Sequence, residues 1–286
     1  MIVPTHLQDS LRAGMVVPFV GAGVSRGACH LFPTWPGLLD ALLVECKASS
    51  RFTTATGRNF DKLRAAGEFE ELAEGLKSLI PIGQYQVFLE RVFDLDARTM
   101  DFANHREILK INAKVIVTTN FDRLVEHSIA KATGRTPEVH SHEQSDLLLR
   151  KIRRPKPVRP PLVYKLHGDI SDINSIVLTR SDFTRLLHNS PHVASVLDAL
   201  IATTTFVFLG YSVKDRDLLY HLEKYQSALK GAAYPHYMLT DLTGHAVNRD
   251  SFRDQYGVEI IEFNIGATGS GFRTAIKSIA AFCSHI

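Results

Sequence analysis

Six short apolar runs, each closed by small or polar residues, constrain this 286-residue chain more than any other feature in it. They span 15–20, 114–117, 162–166, 206–209, 237–239 and 258–262, and they are rich in Val, Ile, Leu and Phe. Continuous apolar runs of this length suit strands that are covered on both faces. Helical periodicity over 121–133, 215–229 and 272–282 lies between or after them. Strands and helices in alternation predict an α/β layer, a doubly wound parallel sheet with right-handed crossovers.

One interval does not fit a simple crossover. More than ninety residues separate the first run from the second, and they read as helices over 35–48, 60–79, 84–93 and 104–111 without a strand. We expect an inserted helical subdomain that folds over the carboxyl edge of the sheet. The chain then forms a single domain, 1–286, with its core in 1–34 and 113–286 and the helical insertion in 35–112. A second insertion, 143–161, contains Arg-Lys-Ile-Arg-Arg-Pro-Lys-Pro-Val-Arg (150–159), with six cations and two prolines in ten residues. Proline and like charge both oppose regular structure, so an exposed loop is expected there. No aromatic residue interleaves these cations, which disfavours direct nucleic-acid binding.

Composition removes several classes. With 45% hydrophobic and 22% charged residues, the chain has the make-up of a soluble globular protein. No apolar run approaches the roughly 20 residues that a membrane span requires, and Met-Ile-Val-Pro-Thr-His shows no secretory signal. Cys29, Cys46 and Cys283 are too far apart for a paired zinc site and odd in number for a disulfide framework. A reducing, cytoplasmic setting and no metal are therefore expected. The balance of 33 basic against 30 acidic residues is too even to argue for nucleic acid.

Ligands of open α/β sheets bind outside the carboxyl ends of the strands, so the strand ends carry the functional signal. The first run ends in Phe-Val-Gly-Ala-Gly-Val-Ser (19–25), where Gly21 and Gly23 permit a tight turn before a helix start able to face a phosphate. Arg26 stands where a dinucleotide fingerprint has its third glycine, and no Gly-Lys-Ser/Thr is present, so neither a dehydrogenase motif nor a P-loop is met. The second run ends in Thr-Thr-Asn-Phe-Asp (118–122). Asn and Asp are good helix caps, but one cap does not require two threonines, an amide and a carboxylate together. The third ends in Lys-Leu-His-Gly-Asp (165–169), where His167 follows a buried run and precedes a glycine. A neutral imidazole there could act as a general base. The fourth ends in Phe-Leu-Gly-Tyr-Ser-Val-Lys-Asp (208–215), in which Ser212 and Asp215 have capping-box spacing. Together the four junctions point to a nucleotide-like ligand.

Gly-Ala-Gly-Val-Ser, Thr-Thr-Asn-Phe-Asp, Leu-His-Gly and Leu-Gly-Tyr-Ser, in that order, resemble the NAD-binding core of the sirtuin superfamily, a Rossmann-like fold. The prokaryotic sirtuin-like branch of anti-phage defence is the nearer match, through Phe-Pro-Thr-Trp-Pro-Gly-Leu-Leu (32–39). The two Cys-x-x-Cys pairs and the Pro-Asp-Phe-Arg segment of deacylating sirtuins are absent, and Thr119 replaces the glutamine before their asparagine.

The resemblance implies an enzyme, an NAD+ nucleosidase (NADase) that hydrolyses NAD+ to nicotinamide and ADP-ribose and serves antiviral defence by NAD+ depletion. It implies NAD+ as substrate and no metal. Catalytic roles fall to Asn120, orienting the ribose or the attacking water; His167, bonding a ribose hydroxyl or taking the water's proton; and Asp122, holding the nicotinamide carboxamide. Gly21, Ala22, Gly23 and Ser25 would cradle the pyrophosphate. Gly210, Ser212 and Asp241 would line the adenosine side, and Thr119 joins the cofactor-binding set. The alternatives are an NAD-dependent protein deacylase or ADP-ribosyltransferase, and a non-catalytic NAD or ADP-ribose sensor. An unregulated NADase would poison its host, and no appended sensor domain is expected here, so control is expected from a homo-oligomer or from a partner such as a DNA translocase ATPase or an Argonaute-like protein.

Overall fold

The computed structural model describes residues 2–93, 95–153, 159–211, 216–229, 233–241, 249–266 and 270–283. In chain order the elements are α1 (Thr5–Arg12), β1 (Val16–Val20), α2 (Ala22–Ala28), α3 (Trp35–Cys46), α4 (Thr54–Ala66), α5 (Phe69–Leu79), α6 (Ile82–Phe93), α7 (Ala103–Leu109), β2 (Val115–Thr118), α8 (Leu124–Thr133) and β3 (Val139–Ser141). There follow α9 (Ser145–Ile152), β4 (Leu162–Lys165), α10 (Arg180–Asn189), α11 (Pro191–Thr203), β5 (Thr205–Leu209), α12 (Arg216–Ala228), β6 (His236–Asp241), α13 (Arg249–Tyr256), β7 (Val258–Phe263) and α14 (Ser270–Ala280).

The strands form one sheet in the order β3-β4-β2-β1-β5-β6-β7, and every pairing is parallel. The expected doubly wound, Rossmann-like α/β layer is therefore what the chain builds. Successive residues of β1 face opposite sides, as the period of two demands. Val16 and Val20 join the core under α1, α7, α8 and α14, whereas Val17 and Phe19 join the core under α9, α10, α11 and α12. The chain leaves β1 toward β2 and β4 on one side, then crosses back to β5 on the other. That reversal puts the switch point between β1 and β5, where an open α/β sheet has its crevice.

A third apolar core sits away from the sheet. It is built from α3, α4, α5 and α6 and is joined by Phe121, Leu124, Ile170, Ile176 and Leu178 from the turns beyond β2 and β4. The inserted helices are thereby seated on the carboxyl rim. The expected helix 60–79 is two helices, because Gly67 ends α4 in the left-handed conformation (φ 75°). Within the insertion, α7 turns back to the sheet layer, with Ile108 and Ile111 in the core shared by α14.

The basic segment departs from expectation. Residues 150–152 belong to α9, not to a loop, because Leu148, Leu149 and Ile152 pack on the second core while the cations stay on the outer face. Arg150 pairs with Asp146 one turn earlier and Lys151 pairs with Glu138. The remaining cations, except Arg153 and Arg159, lie outside the described residues. Among the described residues, no helix is long and apolar enough to cross a membrane.

Candidate active site

The turn after β2 is organised by polar side chains. Thr118 Oγ1 donates to the Val20 carbonyl (2.8 Å) and accepts from the Asn120 N–H (3.0 Å), so the turn is pinned to the end of β1. Asn120 Nδ2 donates to the Gly21 carbonyl (3.1 Å) and to Ser25 Oγ (2.9 Å). A carbonyl can only accept, so this contact fixes which way the amide faces. With both N–H bonds used, what Asn120 can offer a ligand is the acceptor Oδ1. Ser25 passes the chain on, donating to Asp122 Oδ2 (2.7 Å), while Asp122 Oδ1 accepts the Leu124 N–H (3.0 Å). Asp122 is thus not the cap of α8, whose N-cap is Arg123; from one residue earlier it accepts the first N–H of the helix and also anchors Ser25. Burial pushes the Asp122 carboxyl above the ordinary range, and the Lys165 ammonium and the Ser25 hydroxyl oppose that.

His167 lies beyond the end of β4, buried, with its ring edge-on to Phe183 (centroids 5.1 Å). Phe183 in turn meets Trp35 of the insertion (6.3 Å). The turn is set by Gly168 (φ 90°), where an added Cβ would lie 2.1 Å from the Ser175 carbonyl oxygen. Gly168 therefore lets the chain at 175–177 close on His167, and the Val177 N–H donates to the His167 carbonyl (2.9 Å). The space beside this glycine belongs to Ser175, not to a ligand. His142, just past the edge strand β3, lies close enough to His167 for that ring to disfavour the charged form of His142. Burial first, then His167 and Arg185, push His142 down to about 4.

The glycine turns of β1 and β5 meet at the switch point. The Gly21 N–H donates to the Leu209 carbonyl and the Gly23 N–H to the Gly210 carbonyl (both 2.9 Å). Gly210 has φ 60°, and a Cβ there would stand 2.6 Å from the Val24 nitrogen. These glycines first allow two rim turns to touch. Ala22 and Thr119 are half-buried beside them. Asp241 ends β6, two strands from β1, and its Oδ1 accepts the Ile265 N–H (3.3 Å). Ser212 and Asp215 lie outside the described residues.

The comparisons with known proteins bear directly on this rim. Residues 114–261, about half of the chain, match the SIR2-like domain. The chain belongs to that family. The matched segment carries Asn120, Asp122, His167 and Gly210, so the resemblance drawn from the motifs holds. The SIR2-like chain is 30% identical over 227 residues to the NAD(+) hydrolase ThsA of Cytobacillus dafuensis, covering 77% of this chain and 40% of that protein. It is 27% identical over 253 residues to the NAD(+) hydrolase ThsA of Enterococcus faecium, covering 87% and 48%. Against the defense-associated sirtuin 2 of Bacillus subtilis it is 26% identical over 216 residues, covering 74% and 19%. The chain thus spans less than half the length of these relatives.

Sequence reasoning missed the charged groups beneath the SIR2-like site. Lys165 is wholly buried at the last position of β4, among Asp122, Glu126 and Asp169. Burial alone would depress its ammonium, but Glu126 and Asp169 outweigh that and hold it above the usual lysine range. Burial is the largest single influence on Asp169 and raises it, but the Lys165 ammonium together with the Ser171 N–H and hydroxyl outweighs that and holds the carboxyl below its usual range, whereas burial keeps Glu126 raised despite the same cation. The available signal was a charge ending an otherwise apolar strand.

Proposed function

We propose that this SIR2-like domain is an NAD+ glycohydrolase, releasing nicotinamide and leaving ADP-ribose, and that it works in anti-phage defence by depleting NAD+. The observation that carries the reading is the placement of Asn120 and His167 at the ends of adjacent strands, β2 and β4, on the rim of a SIR2-like sheet. Relatives named NAD(+) hydrolase support the same chemistry. The donor set fits such a substrate. An amide with only an acceptor to spare and a buried imidazole are suited to ribose hydroxyls and to a water molecule.

Cleaving the nicotinamide–ribose bond leaves cationic character on the ribose, so the residues must hold water and hydroxyls rather than protonate a leaving group. Asn120 Oδ1 accepts a hydrogen bond from the attacking water or from a ribose hydroxyl, and His167 takes the proton. Phe183, itself packed against Trp35, covers one side of the imidazole. Asp122, whose two oxygens already accept bonds within the chain, acts through Ser25 to hold Asn120, in place of the carboxamide contact expected from the motif. Ala22, Gly23, Ser25 and Thr119 bound the pyrophosphate side; Gly210 and Asp241 bound the adenosine side. The insertion 35–112 serves as lid or assembly surface. Control lies in a homo-oligomer or a partner such as a DNA translocase ATPase or an Argonaute-like protein, in the cytoplasm.

The test is nicotinamide release from NAD+ by the purified chain, resolved by liquid chromatography. Asn120→Ala and His167→Ala are each expected to lower it by about 10²-fold or more, the usual effect of losing a general base or its partner. Undiminished hydrolysis by both folded variants would refute the assignment. ADP-ribose found attached to protein, not free, would instead favour transfer.

A further inference from the structure

We propose that Lys165 is a positioning residue whose buried ammonium ties the turn bearing Asn120 to the turn bearing His167 and fixes their separation. This rests on the reading of those two side chains as the reacting pair. Lysine is almost never fully enclosed unless paired, and Lys165 has no exposed surface. Its three N–H bonds are accounted for. Nζ donates to the carbonyls of Phe121 (3.1 Å) and Asp122 (2.6 Å), the two residues that follow Asn120. It also pairs with Asp169 Oδ2 (2.8 Å), two residues after His167. Glu126 Oε1 of α8 stands at 3.2 Å. Asp169 is itself held, its Oδ1 accepting both the N–H and the hydroxyl of Ser171 (2.7 Å each).

Stability alone does not account for this arrangement. An apolar side chain could fill the last position of β4 without desolvating an ion, and buried ion clusters replaced by apolar groups of similar volume are often neutral or more stable. What an apolar group cannot do is bond two backbone carbonyls of one catalytic turn and a carboxylate of the other at a single atom. Lysine suits this because its ammonium is a compact point with three donors, whereas arginine's planar fork is not. Misplacement of reacting groups by about 1 Å typically costs about 10²-fold in rate, so a device that holds two turns in register has kinetic consequences.

The experiment uses the full chain with Lys165→Met, Glu126→Gln and Asp169→Asn combined, which removes the ammonium together with the two carboxylates within ion-pair distance of it, while Asp122 keeps its bonds from Ser25 and Leu124. Asn at 169 keeps the oxygen that Ser171 uses. In the folded variant, amides of 119–123 and 166–170 are expected to exchange at least about tenfold faster than in the wild type, while those of β1 and β5 are unchanged. Nicotinamide release is expected to lose about 10²-fold in kcat with KM within about threefold. Unchanged exchange in both turns, or unchanged kcat, overturns the proposal. If the triple variant does not fold, the wild type decides: the two turns must open at one common exchange rate, and two separate rates overturn the link. A wild type that releases no nicotinamide sinks the hydrolase reading, and the exchange result still decides the clamp.

Discussion

Acid should unfold this protein earlier than its carboxylates alone require, and His105 offers a clean way to measure why. His105 in α7 is buried with its ring edge-on to Phe102, and neither ring nitrogen has a hydrogen-bond partner. Burial pushes its pKa from 6.5 down to about 4. His236 behaves alike: it is fully enclosed, its Nδ1 accepts the Phe206 N–H (3.0 Å), and burial again brings it to about 4. His142 is the third at about 4. A folded-state pKa below the unfolded value means that, as pH falls through 6.5, the unfolded chain takes up a proton that the native state refuses. Each such group costs nothing at pH 8 and about 2 kcal/mol at pH 5. Three together remove about 6 kcal/mol, against a typical total of about 5–15 kcal/mol. In His105→Leu the side chain remains apolar and helix-compatible, and no partner is lost. Urea unfolding at pH 8 and pH 5, read with equal m-values, should show the variant losing about 2 kcal/mol less than the wild type between the two pH values. Equal losses in the two proteins would refute the reasoning, because the remaining titrating groups are common to both.

Other substitutions test the rim and the insertion. Gly210→Ala should destabilise by about 2 kcal/mol or more, since it adds a Cβ at positive φ against the Val24 backbone; an unchanged urea midpoint would argue against the close contact of the two turns. Phe121→Ala removes a ring that meets Phe93 edge-on at 5.4 Å, and should cost about 3–5 kcal/mol by urea titration while also lowering nicotinamide release, because Asn120 is its neighbour. Iodoacetamide at pH 7.5 should add a single label, at half-buried Cys29, as burial holds the enclosed thiols of Cys46 and Cys283 at about 11; mass spectrometry showing either of those labelled as fast as Cys29 would contradict their enclosure.

What the sequence disclosed follows from how strongly each residue's role restricts its type. Strands inside the sheet are apolar over most of their length, so β1, β2, β4, β5 and β6 stood out, and the edge strand β7 did so through Val258, Ile260 and Ile261. β3 did not, because it is only three residues long at the sheet edge and its one buried side chain is the polar His140. The helices α10 and α11 were passed over between two recognised strands, and α9 was hidden because its cations mask a short apolar face. At the site, Asn120 and His167 were legible as polar residues ending apolar runs, and Thr118 and Asp122 as more polarity than one cap needs. The glycines were legible as turns, but their partners were not. Gly168 answers to Ser175 across a short loop, and Gly210 to Val24, which is distant in sequence. Lys165 and Glu126 are the sharper case. Each is an ordinary charged residue within its own segment, one ending a strand and one in the first turn of a helix. Only the pairing of β2 with β4 lets one cation bond two carbonyls and the Asp169 carboxylate while standing beside the Glu126 carboxylate. Chemistry that acts through polar groups at strand ends is written locally in the chain, whereas the buried charges that aim those groups are written in pairs that only the sheet order joins.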